Sequence, residues 1–391
     1  MIARIFIPLL LLIVLPYLYF DLHYWRRRYR QCHLKRLLRW LPAIAMLAFT
    51  VYMALIPSFI PDDFRLIDWY FCLSALLVYP VAGYALCSFL GLMHCRFHHT
   101  HRNLGNLAGL LSMPLIALVF GYGWFVGVRQ LSVKHVNLDI EGLPEQFESY
   151  RIVQFSDAHV GSFNGFRAQL LHRAIDSINI QRPDLIVFTG DMQNIQPSEV
   201  YPFEDALRQL KARDGIFSIL GNHDYSDYLH ADPAVKAANE REIVARQQQM
   251  GWKVLRNEWQ AIHWGNDSIV IAGQENMHPK PEKNRSNLPK TIAGIGSKAF
   301  IIMLQHNPKA WNDSILTHSR ARLTLSGHTH GGQMALFGLR PTMLTNRYDY
   351  GLYEQTGRYL YVSGGLGGVV PFRLGMNPEI VVITLHAKHL R

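Results

Sequence analysis

The stretch Ser326-Gly327-His328-Thr329-His330-Gly331-Gly332-Gln333 sets two imidazoles two residues apart among glycines. Three more groups rich in metal-ligating residue types precede it: Asp157-Ala158-His159, Gly190-Asp191 and Gly221-Asn222-His223-Asp224. His306 stands alone just before the last group. Together they suit hydrolysis, because a divalent metal lowers the pKa of water far enough to supply hydroxide at neutral pH. Two metals a few Å apart need a shared carboxylate, with imidazole and oxygen ligands on either side. Asp157 and His159 can point the same way where a strand breaks into a loop, and His328 and His330 repeat that spacing. Asp191 follows Gly190, where backbone can approach closely, and is the natural bridge. Asn222 offers a neutral carbonyl oxygen and His306 a further imidazole. This mixed nitrogen and oxygen set suits manganese, iron or zinc better than magnesium or calcium, which prefer all-oxygen shells.

Each group lies where an apolar, β-prone run ends. Ile152–Phe155 precedes the first, Leu185–Phe188 the second and Ile216–Leu220 the third. Ile301–Leu304 leads to His306, and Leu323–Leu325 to the last group. Short apolar runs of this kind read as buried strands whose C-terminal loops carry chemistry. Five such ends would deliver Asp, His and Asn to one sheet edge. Between them the pattern predicts helices near residues 166–180, 202–211 and 233–250. Further strands are expected at Lys253–Leu255, Ser268–Ala272, Tyr359–Ser363 and Glu379–Leu385, and a surface loop at Asn276–Pro289. Such alternation implies parallel strands joined by helical crossovers, an α/β domain.

Other chemistry-bearing residues fit blander roles. His172, His263 and His318 read as surface or packed residues. Asp224 suits a helix N-cap or a support for the ligands better than ligation itself. Gly364-Gly365-Leu366-Gly367-Gly368 lacks the following helix or Lys of a phosphate cradle and reads as a tight turn near the site. Arg347 fits a substrate phosphate and a structural ion pair equally well.

Composition divides the chain in two. Of its 391 residues 49% are apolar and only 17% charged, and the apolar excess lies at the N-terminus. Apolar stretches run from Ile5 to Phe20, Leu41 to Ile60, Trp69 to Met93 and Leu104 to Val128. Three are about 20 residues or longer, enough to cross a bilayer at about 1.5 Å per residue. The first lacks a small-residue cleavage site and is read as a membrane helix, not a signal peptide. The loop after it carries Arg26, Arg27, Arg28, Arg30, Lys35, Arg36 and Arg39, whereas the next carries Asp62, Asp63 and Asp68 against Arg65. Positive short loops stay cytoplasmic, so the rest of the chain is expected outside the cytoplasm. Residues 1–128 hold 11 basic and four acidic residues, hence +7 of the net charge of +10. The basic balance is therefore a topology signal, and no nucleic-acid partner is expected. All four cysteines lie before Arg129, so no disulfide framework is implied beyond it. The expected organisation is a membrane region over 1–128 with about four helices, a linker over 129–149 and a catalytic domain over 150–391.

The ordered series D-x-H, G-D, G-N-H-D, H and G-H-T-H-G-G-Q resembles the calcineurin-like metallophosphoesterases, most closely a bacterial membrane-anchored subgroup. The resemblance covers roughly Tyr150 to Leu385, including Asn346-Arg347-Tyr348 and Gly351-Leu352-Tyr353, and stops short of the membrane region. It implies a four-layered α/β/β/α sandwich with two divalent ions (Mn, Fe or Zn) at the strand C-termini. Asp157, His159 and His330 would hold one ion, Asn222, His306 and His328 the other, with Asp191 bridging. His223 would be catalytic without ligating metal, protonating the leaving oxygen or stabilising the transition state. Asn222 would also touch a phosphate oxygen. Two departures stand out. Many relatives carry a second carboxylate three residues after the bridging Asp, able to pair with the non-ligand His; here that residue is Asn194. The subgroup tends to an acidic pair after Gly273, where this chain has Gln274-Glu275-Asn276, expected to alter the substrate rim.

The implied function is hydrolysis of a phosphomonoester, phosphodiester or pyrophosphate bond by a metal-bound hydroxide. A phosphorylated substrate, lipid-linked or of the cell envelope, and the lipid bilayer are the expected partners, since a soluble metabolite would not require four spans. The competing class is a membrane receptor or transporter with a non-catalytic outer domain. The spans hold few of the ionisable residues that mark substrate paths, which disfavours it.

Overall fold

The computed structural model describes residues 1–163 and 165–388. The chain divides into two compact units, Met1–Phe125 and Val126–Arg391. The first contributes helices at Phe6–Phe20, His33–Ala54, Arg65–Leu77, Tyr79–His98 and Gly105–Phe125. They lie in four segments long and apolar enough to cross a membrane: Ile2–Arg28, His33–Ala54, Arg65–His98 and Gly105–Arg129. The second expected span, Leu41–Ile60, is shifted towards the N-terminus. The residue before a proline disfavours helical backbone, which stops the helix ahead of Pro57. At the other end, Lys35, Arg36 and Arg39 are good helix formers and extend it beyond the apolar run.

The second unit is built on two six-stranded sheets. In the first the order is β1-β12-β2-β3-β4-β5, and in the second β10-β11-β9-β8-β7-β6. The strands are β1 Ser132–Ile140, β2 Tyr150–Phe155, β3 Leu185–Phe188, β4 Ile216–Ser218, β5 Lys253–Val254, β6 Glu258–Trp264, β7 Asp267–Gln274, β8 Phe300–Gln305, β9 Leu323–Ser326, β10 Gly351–Gln355, β11 Arg358–Val362 and β12 Glu379–Ala387. Parallel pairing runs from β2 through β5 and from β7 through β8 and β9 to β11.

The apolar runs are continuous because both faces of each strand are buried. Ile152, Leu185, Val187 and Phe217 meet Ile271, Ile302, Leu304 and Leu325 in the core between the sheets. The alternate residues Val153, Phe155, Ile186 and Phe188 face outward. There they pack under Leu170, Leu171, Ala174 and Ile175 of the helix Ala168–Ile180 and Ile243 of the helix Pro233–Gln249. Ile301 and Met303 pack on the other outer face with Leu288, Trp311 and Ile315, from the helix Leu288–Ile292 and the helical segment 311–318. The layers are thus α/β/β/α.

Three strands depart from the sequence expectation. Residues 129–149, expected as a linker, contain β1, paired in register with β12 from Ser132↔Glu379 to Ile140↔Ala387. This is an edge strand with polar residues on its outer side, so it lacks a solid apolar run. The β6 and β10 edge strands are obscured in the same way. The helix expected over 202–211 shrinks to Glu204–Leu207.

Candidate metal centre

Within each sheet the parallel strands end at the same edge, and the loops after β2, β3, β4, β8 and β9 converge there. Asp157 and His159 follow β2, Asp191 follows β3, Asn222 and His223 follow β4, His306 follows β8, and His328 and His330 follow β9. The backbone turns sharply at these positions. Asp157, His159, Asp191, His328 and His330 adopt φ of 49°, 44°, 62°, 77° and 53°, the left-handed region that non-glycine residues rarely enter. Such strain persists where surrounding structure over-determines it and clusters at functional sites. Two glycines make the close approach feasible. A Cβ on Gly190 would lie 2.5 Å from the Gly221 nitrogen, and one on Gly327 would lie 2.2 Å from Asp157 Oδ2.

Two overlapping groups bring the expected ligands together, and a third joins His159 and Asp191 to His223. In one, Asp157, His159 and His330 bring ligand atoms together, with His330 Nε2 3.4 Å from Asp157 Oδ1. In the other, Asp191, His306 and His328 converge. There His306 Nε2 lies 3.1 Å from Asp191 Oδ2, 3.1 Å from Asn222 Oδ1 and 3.3 Å from His328 Nδ1. Asp191 Oδ2 also lies 3.6 Å from His159 Nε2. The same carboxylate oxygen therefore faces imidazoles of both groups.

The protonation pattern is split: three rings are neutral, whereas His306 is held protonated and would have to release its proton to ligate a metal. Burial lowers the His159 and His328 pKa values to about 3 and that of His330 well below its usual range. These rings are neutral and keep nitrogen lone pairs to offer. Burial opposes ionisation of Asp191, but His306, His223 and His159 overcome it and hold the carboxyl well below the usual carboxylate range. Burial likewise opposes charge on His306, and Asp191 and Asp157 outweigh it, raising the ring to about 9. The fit to metal has a further mark. His159 Nε2 is buried with no hydrogen-bond partner among the described residues, although the site around it is polar. A buried polar atom without a hydrogen bond is expensive unless a ligand satisfies it.

A supporting layer fixes the rings. His306 Nδ1 lies 2.7 Å from the Thr189 carbonyl, which accepts from it. Asp224 accepts from the backbone N–H groups of Asp191 at 2.8 Å, Met192 at 2.9 Å and Gly221 at 2.9 Å, tying the β3 and β4 loops together in the supporting role expected of it. The Gly364–Gly368 turn does lie at the site: Leu366 and Gly367 donate to the Ser156 and Asp157 carbonyls at 2.8 Å each. The buried guanidinium of Arg373 in turn donates to the carbonyls of Gly364, Gly365 and Gly367.

Asn194 acts differently from the expected pairing with His223. Its side-chain oxygen lies 3.1 Å from His159 Nδ1. It is the Asn194 backbone carbonyl that accepts from His223 Nδ1, at 2.5 Å. The amide substitution therefore bears on His159 directly and on His223 only through the backbone. The Gln274-Glu275-Asn276 departure is also not a rim. All three residues are buried, and Glu275 turns inward to accept from Arg256 Nε at 2.9 Å and Asn257 Nδ2 at 2.7 Å. Arg347 is exposed and donates to Asn312 Oδ1 at 3.4 Å.

Three supporting residues escaped the sequence reading. Tyr228 stacks on His223 with ring centroids 4.2 Å apart, and its hydroxyl accepts from Asn222 Nδ2 at 3.0 Å. Glu199 accepts from the backbone N–H of Asn194 and, at 2.9 Å, of Ile195. Arg373 is the third. Only Glu199 had a sequence signal, an acidic residue three after Gln196 as in a capping box.

Residues 150–332 match the family model described as calcineurin-like phosphoesterase. The metallophosphoesterase YkuE of Bacillus subtilis is 31% identical over 293 residues, which cover 72% of this chain and 96% of that protein. A Danio rerio transmembrane protein with a metallophosphoesterase domain is 28% identical over 284 residues, covering 71% of this chain and 62% of that protein. Among solved structures, a protein of Thermus thermophilus aligns with a TM-score of 0.37 and 12% identity over 56% of this chain and 92% of its own. The chain belongs to the calcineurin-like phosphoesterase family. It is a metal-dependent phosphoester hydrolase that carries four apolar helices of membrane-spanning length.

Proposed function

We propose that the chain is a membrane-anchored phosphoesterase with a dinuclear centre, acting on a phosphoester, phosphodiester or pyrophosphate bond in a lipid-linked or cell-envelope substrate. The observation that carries this is the position of Asp191 Oδ2 between His159 Nε2 and His306 Nε2. A carboxylate shared by two imidazole groups is what a pair of divalent ions requires. Asp157, His159 and His330 would hold one ion, and Asn222, His306 and His328 the other. When bound, such ions supply a nucleophile from water at neutral pH and neutralise charge on the phosphoryl group. The donor set admits manganese, iron or zinc.

The remaining work falls to residues of this chain. His223 comes within ligand reach of His159 and Asp191, but it is held from two sides, by the Asn194 carbonyl on Nδ1 and by Tyr228 against its face. A ring so fixed can give a proton to the leaving oxygen at a set place, the task of a general acid. Asn222 keeps its oxygen towards His306 because its Nδ2 donates to Tyr228, and it can also meet a phosphate oxygen. Asp224 and Asn194 keep the loops and the His159 ring in place while charge shifts.

The test is turnover of a chromogenic phosphodiester and its monoester by the purified full chain, beside Asp191→Asn and His223→Ala. Hydrolysis lost in both variants is expected, and wild-type rates in either would remove that residue from the mechanism. The charge bias of the loops supports an extracytoplasmic catalytic unit. A periplasm-active reporter fused after Arg129 is expected to be active, and silence there would reverse the orientation.

A further inference from the structure

The second unit keeps its apolar side chains inside with one concentrated exception. Between Met334 and Leu344, six large apolar residues are exposed: Met334, Leu336, Phe337, Leu339, Met343 and Leu344. Phe337 is 97% and Leu344 90% exposed, values close to those of an extended chain. Elsewhere among the described residues of this unit, exposed large apolar side chains are scattered singly, as is normal for a soluble surface. A cluster is a different matter and marks an interaction site.

This segment leaves directly from His330-Gly331-Gly332-Gln333, so it stands at the metal-centre edge. It is braced, not loose. Ala335 N donates to the Leu374 carbonyl at 2.7 Å, and Leu336 and Leu339 exchange backbone bonds of 3.0 Å that close the tip. Arg340 Nε donates to Asp349 Oδ2 at 2.6 Å, and the Asp349 carbonyl accepts from Thr329, which lies between the two histidines. Asp349 neutralises Arg340, and the exposed Arg347 is the other cation between Gln333 and Tyr348.

The chain enters this unit at the same edge. The last membrane-length segment ends at Arg129, three residues before β1. Because β1 runs parallel to β12, which is antiparallel to β2, Ser132 lies at the edge where β2 ends and the ligands begin. The entering backbone is seated there, since a Cβ on Gly127 would fall 1.9 Å from the Arg373 carbonyl. Val128 lines one small crevice with Gln333, Gly367 and Phe372. Tether, metal centre and apolar loop therefore share one edge of the unit.

We propose that the Met334–Leu344 loop inserts its apolar tip into the lipid bilayer that anchors the chain. The metal centre then opens at headgroup level, and its substrate is an amphiphile whose phosphate sits at the membrane surface. Insertion stands independently of the phosphoesterase reading; the substrate class rests on it. Apolar side chains buried at the acyl boundary supply the binding, and the exposed Arg347 adds attraction to anionic lipid.

The full chain is reconstituted in vesicles of phosphatidylcholine and phosphatidylglycerol with brominated acyl chains. Phe337→Trp adds one indole at the tip, and Ile180→Trp adds one at the opposite end of the strands, where the side chain is also exposed. Difference emission against wild type is expected to be blue-shifted and quenched for Phe337→Trp and neither for Ile180→Trp. Unquenched, red emission from Phe337→Trp would overturn insertion. So would a blue shift that depends on protein density and not on bromination, which would assign the loop to a second copy.

The second arm compares Phe337→Ser/Leu344→Ser with wild type on two substrates. One is soluble bis(p-nitrophenyl) phosphate, and the other a vesicle-embedded lipid carrying a p-nitrophenyl phosphodiester headgroup. Soluble turnover is expected to stay unchanged while lipid turnover falls by about tenfold or more, the scale of losing large apolar contacts. Equal effects on both substrates would overturn the substrate class. Were neither substrate cleaved by any form, the phosphoesterase reading would fail, and the quenching would still decide insertion.

Discussion

The two ligand groups of the centre are built from different material. The Asp157 group has a carboxylate of its own besides the shared Asp191, and all three of its members sit at positive φ. The Asn222 group has an amide where the other has that carboxylate, and of its own members only His328 is strained. Its His306 is instead pinned through Nδ1 to Thr189. One position is thus more negative and held by contorted loops, and the other is more neutral and held by conventional hydrogen bonds. Under the two-ion proposal, the difference predicts unequal affinities, with the Asp157 position filled before the other.

The largest effect should come from the residue common to both. Asp191→Asn removes the shared anion and is expected to lower turnover by roughly a thousandfold or more, with loss of bound metal from both positions. His223→Ala should cost a hundred- to ten-thousandfold, the usual range of general acid–base catalysis, while metal content by elemental analysis stays at the wild-type value. Metal loss in that variant would make His223 a ligand instead.

Charge exchange between the groups sharpens the contrast. Asp157→Asn should weaken the tighter position, and Asn222→Asp should tighten the weaker one, so that their affinities converge in a calorimetric titration. Asn194→Ala, acting through the His159 ring, should cost about ten- to a hundredfold in affinity at the first position, the usual effect of a residue that orients a ligand. Equal losses at both positions would break the distinction.

The smallest effect concerns stability. Burial raises Glu199 from 4.5 to about 7 against its three backbone N–H bonds. A carboxyl with a raised folded-state pKa favours the fold most at low pH, and that contribution fades as pH rises from about 4.5 through about 7. Glu199→Gln should flatten stability over that window in thermal unfolding, and an unchanged slope would contradict it.

Much of this arrangement was legible in the sequence. Asp157, His159, Asp191, Asn222, His306, His328 and His330 could be read because each follows a strand buried on both faces, whose apolar run is unmistakable. Most supporting groups could not, Asp224 and the Gly364–Gly368 turn apart. Tyr228, Arg373 and the Thr189 carbonyl act through contacts between segments distant in sequence, which no local spacing encodes. The Asn194 reversal has the same cause, because only the folded loop decides which histidine meets a side chain and which meets backbone. β1 was hidden among polar residues because an edge strand buries one side only. Its alternation of Val136, Leu138 and Ile140 was the available clue.

The most direct test of a two-ion centre is a titration of the metal-stripped full chain with manganese, following bound metal and phosphodiester turnover together. Turnover that stays near zero through the first equivalent and rises with the second is the predicted result. Full turnover at one equivalent, or none with both positions filled, would contradict it.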